Sequence, residues 1–401
     1  MRLGYLLSQY PAVNHVFMLR EVRFLRSAGC DVQVASIRGP DREAAAMTAA
    51  EREEAARTYY VKSSGWARIA AAHLRTVVTR PFGYLRGLWC GLGWGVRGIW
   101  YFAEAVAVGD WMRAERLQHV HTHFASTVGL IVTRVFPVTL SITFHGPAEF
   151  QDPVAAHLAE KVRASRFTCT ISQHGRERLM AICDRAAWRK LEVTPLGVDP
   201  AEFAPRPFRH DPAPFGVVCV GRLAPEKAQH VLLAAVDALV KSGRKIELRL
   251  IGDGPDRAAL EREVAARGLS QGVVFEGNVN QDRLRTLYGE ADALALASYA
   301  EGLPVVLMEA MAMQIPCVAS AVNGVPEIIT HEADGLLVPP GDVDALAGAI
   351  ARLMDNPELR RALGEHARRK VVTQFDLERN AEYLAAVFRR RIASTAASGL
   401  E

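Results

Sequence analysis

Nowhere does this sequence hold an apolar run approaching the roughly 20 residues a membrane-spanning helix needs, so no spanning segment is expected. The first residues, MRLGYLLSQYP, turn polar too early for a secretory signal, and a cytoplasmic location is the expectation. Cysteine is sparse and unpatterned. Cys30, Cys90, Cys169, Cys183, Cys219 and Cys317 include no C-x-x-C, which points to reduced, buried thiols rather than zinc or disulfides. A nicotinamide fingerprint is missing too: LIGDGPDRAAL (250–260) begins as one, but Arg257 stands where G-x-G-x-x-G needs its last glycine. The basic residues are dispersed and no recognition motif accompanies them, so nucleic acid is not an expected partner.

What is present is a long alternation of strand-like and helix-like segments. RLGYLL (2–7), DVQVASI (31–37), HVHTHF (119–124), TLSITF (139–144) and RFTCTI (166–171) read as strands, each followed by a helical pattern. After the Pro-rich PAEFAPRPFRHDPAP (200–214) the series restarts with FGVVCVG (215–221), KIELRLIG (245–252), GVVFEG (272–277), ADALALAS (291–298) and IPCVAS (315–320). Such alternation means parallel sheets covered by helices. The 401 residues exceed one ordinary core, so two doubly wound, Rossmann-like α/β domains are predicted, with the ligand in the cleft between them. The boundaries expected are 1–205, 206–374 and a terminal helical segment, 375–401. Charge divides the same way: residues 1–210 carry a net +9 and the remainder −5, which suggests that the two halves meet different things.

Residues 62–116 break the pattern. They hold five of the six tryptophans, eight Lys and Arg, and three Asp and Glu. Basic helices interleaved with aromatics suit the headgroup level of a membrane; tryptophans buried under amphipathic helices give an equally good account. Both readings stand at this level.

Three stretches carry chemistry. In EGLPVVLME (301–309), Pro304 suits a first helical position, and the backbone N–H groups near Gly302 and Leu303 together with the helix dipole favour an anion such as a diphosphate. Glu301, a poor neighbour for phosphate, is expected to meet neutral hydroxyls. Glu309, further along the helix, can reach another part of the same ligand. In VGRLAPEKAQHVLLAAV (220–236), Arg222 and Lys227 flank a turn into a helix and form a pair suited to a diphosphate. In HVHTHF, His119, His121 and His123 alternate, so one strand face carries all three, as in some metal sites. No acidic or cysteine partner follows at ligand spacing, so no metal is expected. His123 is instead expected to face the ligand crevice, with the other two structural.

Taken together, GRLAPEK, LIGDGP, VVFEGNV, EGLPVVLME, NGVPEII (323–329) and DGLLVPPGD (334–342) resemble the retaining glycosyltransferases of family 4, which have the two-domain GT-B fold. TFHG (143–146), TISQHGRERL (170–179) and VTPLGVDPAEFAP (193–205) extend the resemblance into the N-terminal half. SQYPAVNHVFMLREV (8–22) and HVHTHFA (119–125) look like the branch that builds exopolysaccharide and other bacterial surface glycans. The resemblance implies a nucleotide-sugar donor, UDP- or GDP-linked, no cofactor and no metal. It assigns the donor diphosphate to Arg222 and Lys227, the ribose to Glu309, and the transferring sugar to Glu301. Gly302, Leu303, Pro304 and Val305 would line sugar and phosphate, Asn278 would lie near the base, and His145 would contact the sugar near its anomeric carbon. It further implies a glycan acceptor, lipid-linked; with the membrane reading of the basic, Trp-rich segment 62–116, peripheral contact through that segment at the inner face of the membrane is the expectation. One departure stands out: the loop after the first strand, SQYPAVNH, lacks the paired glycines many members carry. A non-catalytic nucleotide-sugar-binding subunit and a GT-B nucleotide-sugar epimerase are the rival readings, separable by product.

Overall fold

The computed structural model of the chain describes residues 1–12 and 16–393, so the end of the SQYPAVNH loop lies outside the described residues. The chain divides into two compact units. One comprises Met1–Thr194 together with the chain from Ala381 onward, and the other Pro195–Asn380. Residues 195–205 thus go with the second unit.

The N-terminal unit is built on a parallel sheet of seven strands: β1 (Arg2–Gln9), β2 (Asp31–Arg38), β3 (Tyr59–Tyr60), β4 (His119–His123), β5 (Thr139–Phe144), β6 (Phe167–Thr170) and β7 (Leu191–Val193). Their order is β3-β2-β1-β4-β5-β6-β7. In the middle, Leu6 of β1 lies opposite Ala35 on one side and Thr122 on the other. The second unit holds six strands: β8 (Phe215–Val220), β9 (Ile246–Ile251), β10 (Val273–Gly277), β11 (Ala293–Leu296), β12 (Cys317–Ser320) and β13 (Leu336–Val338), in the order β10-β9-β8-β11-β12-β13. Two doubly wound α/β sheets are what the alternation predicts. The strands it does not reveal are β3, β7 and β13, which have two or three residues each; segments that short carry no legible period.

Alternation along β1 feeds two cores. Leu6 joins the cluster under the Trp-rich helices, whereas Leu3, Tyr5 and Leu7 face the opposite layer. That second layer is closed by the helix Val16–Ser27 and by the last helix, Leu377–Ala393, whose Leu384, Ala385, Val387 and Phe388 are buried against it. Phe388 packs on Tyr5, His121 and Phe167 at ring distances of 6.2, 4.9 and 5.7 Å. Arg390 and Arg391 both reach Glu192, at 2.7 and 2.6 Å. All six cysteines are free, and burial pushes the Cys169 and Cys219 thiols up to about 12.

The region 62–116 forms the helices Trp66–Thr79, Pro81–Leu92 and Gly95–Ala114. Glycine lets them touch through backbone. A Cβ on Gly98 would fall 1.7 Å from the Gly91 carbonyl oxygen, and one on Gly87 would fall 2.2 Å from a Val135 methyl. The two sequence readings divide by residue. Trp94 and Trp111 pack on the core, but Trp66, Phe82 and Trp89 are 74, 86 and 80% exposed. Among the described residues no helix is long and apolar enough to cross a membrane.

Phe388 anchors the terminal helix, so Phe388→Ala is expected to cost about 3–5 kcal/mol through lost burial and the cavity left behind. Urea unfolding followed by circular dichroism measures it; a loss under about 1 kcal/mol would show that the helix is held elsewhere.

Candidate functional site

In the second unit the strand order reverses between β8 and β11. Crossovers from the two leave on opposite faces, and the region beyond their carboxyl ends is where doubly wound sheets take ligands. Gly221 and Arg222 follow β8, and Glu301 follows β11. The β8 loop tightens into a single 3-10 turn, Pro225–Lys227, and leaves it through Ala228 in the left-handed region at φ 50°. That reversal aims Lys227 back across the sheet end. Its Nζ donates to Glu301 Oε1 at 2.7 Å, and the Ser298 hydroxyl donates to the same oxygen at 2.6 Å. Glu301 is buried and Lys227 about a quarter exposed. The loops are also tied through backbone: the Tyr299 N–H donates to the Glu226 carbonyl at 2.9 Å.

Arg222 projects outward and pairs with Glu226 at 2.6 Å, both exposed. Such a pair contributes little stability. The glycines of LIGDGP explain how that loop is held. A Cβ on Gly252 would meet the Gly221 carbonyl oxygen at 2.1 Å, and one on Gly254 the Leu223 carbonyl oxygen at 2.2 Å. With no side chain there, the Leu223 N–H reaches the Asp253 carbonyl and the Asp256 N–H the Leu223 carbonyl, both at 3.0 Å. The broken dinucleotide fingerprint therefore serves as a backbone buttress under Arg222.

One expectation needs correction, and two side chains have partners that the sequence did not show. Pro304 is the N-cap rather than the first helical residue: the helix is Val305–Ala312, and Pro304 keeps an extended ψ of 110°. Glu301 accepts from the Ser298 hydroxyl and from the ammonium of Lys227, so the two chemistries assigned to separate parts of a ligand are joined in one cluster. Glu309 is only 3% exposed, and the buried Tyr288 hydroxyl donates to its Oε2 at 3.1 Å. Burial and that carboxylate push the Tyr288 pKa well above its ordinary value, so it stays a donor. Leu303 and Pro304 are buried, Gly302 and Val305 partly so, and Asn278 is exposed just after β10. Sequence reasoning missed Ser298, Glu226 and Tyr288; Ser298 alone, three residues before Glu301, left a readable signal.

In the N-terminal unit the order reverses between β1 and β4. His123 ends β4 and His145 follows β5. The histidines of β4 share one face, as the alternation requires, but all three are buried, so His123 does not face an open crevice. His119 and His121 bond to the hydroxyls of Thr139, Ser141 and Thr143 at 2.7–3.0 Å. Burial, with Arg166 nearby, lowers His119 to about 3; burial and the neighbouring imidazoles hold His121 well below its usual value. An acidic partner does exist: Glu21 lies within 4.8 Å of ligand atoms of His121 and His123. It comes from a helix 102 residues away in sequence, beyond any spacing rule. Both nitrogens of His121 are already engaged by hydroxyls, so the group reads as a hydrogen-bonded network. His123 Nδ1 sits 2.6 Å from His145 Nε2, and the His145 ring lies against Phe17 and Phe124 at 4.9 and 4.6 Å. The His145 N–H donates to Glu149 Oε2 at 2.6 Å.

Against this geometry, residues 201–370 match the family Glycosyl transferases group 1. The chain is 27% identical over 412 residues to the amylovoran biosynthesis glycosyltransferase AmsK of Erwinia amylovora, covering 97% of this chain and all of that one. It is 34% identical over 173 residues to the alpha-D-kanosaminyltransferase of Streptomyces kanamyceticus, where the match spans under half of either protein, 43% and 45%. Anabaena Alr3699/HepE, solved in complex with UDP-glucose, superposes with a TM-score of 0.74 at 18% identity, over 97% of this chain and all of that one. The fold is that of the GT-B glycosyltransferases, and residues 201–370 are similar to the group 1 enzymes.

Glu149 gives a pH signature for the His145 loop. Its carboxylate is turned inward, and desolvation raises its pKa from 4.5 to about 7 against the N–H groups of His145 and Gly146 and the Lys161 charge, which lower it. The folded state thus keeps a proton the unfolded state has released, and stability present below pH 4.5 is lost as pH rises through 7. Glu149→Gln removes that loss. Its melting temperature is expected to match wild type near pH 4.5 and to exceed it increasingly up to pH 7; a gap independent of pH would show that Glu149 titrates normally.

Proposed function

We propose that the chain is a retaining, metal-independent glycosyltransferase that moves a sugar from a UDP- or GDP-linked donor to a lipid-linked glycan acceptor in exopolysaccharide or surface-glycan synthesis. The observation that carries the reading is the Lys227–Glu301–Ser298 cluster beside Arg222, at the strand-order reversal of the unit that matches group 1 glycosyltransferases. Similarity to AmsK over the whole chain and a fold shared with a protein solved with UDP-glucose support it.

Arg222 and Lys227 take the diphosphate. A dianion outcompetes Glu226 for Arg222, because the existing pair is exposed and weak. Lys227 is shared between phosphate and Glu301, whose carboxylate accepts sugar hydroxyls. The N-terminal end of the helix Val305–Ala312 adds backbone N–H groups to the anion. Glu309, held by Tyr288, reads the ribose, and Asn278 lies near the base. On the family resemblance, His145 acts near the anomeric carbon. In the transfer the C1–O(phosphate) bond breaks and its electron pair leaves with the diphosphate. The acceptor oxygen bonds C1 on the same face, and its proton passes to the leaving phosphate oxygen. Arg222, Lys227 and the helix dipole stabilise the growing negative charge without a metal.

The acceptor's lipid is matched by the exposed face of the helices between Trp66 and Ala114. Trp66, Leu74, Val78, Phe82, Leu85, Trp89 and Val96 are all exposed there, and residues 63–103 hold five arginines and no Asp or Glu. A symmetric dimer through this face would set arginine against arginine. An anionic bilayer surface complements both the apolar side chains and the charge.

Nucleotide sugars at 100 times their dissociation constant are expected to add about 2.7 kcal/mol of stability. Lys227→Ala should weaken donor binding roughly 10- to 100-fold, the worth of a charge-assisted contact, in calorimetry with UDP- and GDP-sugars. Binding unchanged by Lys227→Ala would remove the donor-site reading. The anomeric configuration of the product, read by proton NMR, decides retention; an inverted linkage sinks it.

A second expectation concerns the surface. The protein should sediment with phosphatidylglycerol vesicles but not with phosphatidylcholine vesicles, and Phe82→Ser with Trp89→Ser should reduce that binding at least tenfold. Equal binding to both lipids, or no binding at low salt, would overturn the membrane assignment.

A further inference from the structure

We propose that Glu21 is a positioning residue for His145, acting through His123: it sets which ring nitrogen of His145 carries the proton. The proposal rests on the reading above only for its consequence in catalysis; the tautomer itself follows from the N-terminal unit alone.

Glu21 belongs to the helix Val16–Ser27, on the face that buries Met18, Leu19, Val22 and Leu25. A carboxylate 9% exposed among such residues needs donors. Tyr5 supplies one, its hydroxyl 2.9 Å from Glu21 Oε1. Burial and this carboxylate raise the Tyr5 pKa well above its ordinary value, so the phenol keeps its proton. Also near that oxygen is His123 Nε2, 3.2 Å away and off the hydrogen-bond line. An imidazole lone pair facing a carboxylate is repelled, whereas an N–H is attracted, so when the His123 ring holds a single proton it sits on Nε2. Its Nδ1 is then an acceptor. His145 Nε2, 2.6 Å from that Nδ1, must be the donor. It follows that His145 carries its proton on Nε2 and its lone pair on Nδ1.

The contrast with the other two histidines of β4 shows that this is more than a satisfied core. His119 and His121 are met by Thr139, Ser141 and Thr143. Hydroxyls rotate to donate or accept, so they tolerate either tautomer and select none. Of the three, His123 is the one that has a carboxylate oxygen 3.2 Å from one ring nitrogen and a hydrogen bond to a second imidazole on the other. Two ring contacts keep the His145 imidazole in place, Phe124 stacked at 27° and Phe17 tilted at 40°. Orientation and proton position are thus controlled by different neighbours, as in histidines whose outer partner selects the working nitrogen.

The test uses the full-length protein labelled with nitrogen-15 histidine. Correlation of ring nitrogens with ring carbon-bound protons reports the tautomer of each assigned histidine. Wild type is expected to show His145 protonated at Nε2 and unprotonated at Nδ1. Glu21→Gln, close in shape, can turn its amide N–H toward His123 and is expected to move His145 to the opposite or a mixed tautomer, leaving His119 and His121 unchanged. His123→Asn is the second variant should the first not fold, and it too should release the His145 tautomer. A wild-type His145 protonated at Nδ1, or a tautomer unchanged in both variants, overturns the proposal. With donor and acceptor, Glu21→Gln should lower kcat at least tenfold with the donor KM within about twofold. A changed tautomer with unchanged kcat would leave the Glu21–His123–His145 link standing and overturn instead the role of His145 in transfer.

Discussion

The structure depends on parallel strand pairing. A parallel neighbour cannot be reached by a tight turn, so every connection crosses over through a helix, and the helices bury both faces of each sheet. Only the strand ends are left for chemistry. Where the order reverses, at β1/β4 in one unit and β8/β11 in the other, the crossovers diverge and the carboxyl ends open. Lys227, Glu301 and His123 are all found at these two reversals. Their positions follow from the handedness of the crossover as much as from their own side chains.

Burial then decides what those side chains can do. Glu301 and Glu309 flank one short apolar stretch and are both buried, yet they differ in their partners. Glu301 has an ammonium and a hydroxyl; Glu309 has a phenol on the neighbouring helix. The charge of Lys227 lies beside Glu301 because the left-handed Ala228 ends the 3-10 turn there. The β4 histidines follow the same logic. They sit in a core layer closed by the terminal helix, which keeps His119 and His121 neutral, while His123 has the Glu21 carboxylate beside its Nε2.

The helices between Trp66 and Ala114 show one sequence serving two surfaces. Gly91 and Gly98 bring backbones into contact, and Gly87 makes room for the Val135 side chain, so the large side chains cannot all be accommodated inside. Trp94 and Trp111 remain on the core side, and Trp66 and Trp89 are left outside among arginines. Composition announces an amphipathic, basic region, but which tryptophan faces which way depends on where the glycines let the helices touch.

The sequence by itself determined the architecture: strand-like segments of six to eight residues alternating with helical stretches admit only parallel, helix-covered sheets, and the long strands are where that pattern puts them. It also singled out the candidate set, because Arg222, Lys227, Glu301 and Glu309 lie within local motifs legible along the chain. The tertiary structure alone decided the short edge strands, the joining of Lys227 to Glu301, the burial of Glu309, and the use of Gly252 and Gly254 as a buttress. It alone brought Glu21 to His123 across 102 residues. The reason is physical: local pattern reports which face of an element is apolar, while contacts between elements are set by crossover geometry and close packing, which no spacing along the chain encodes.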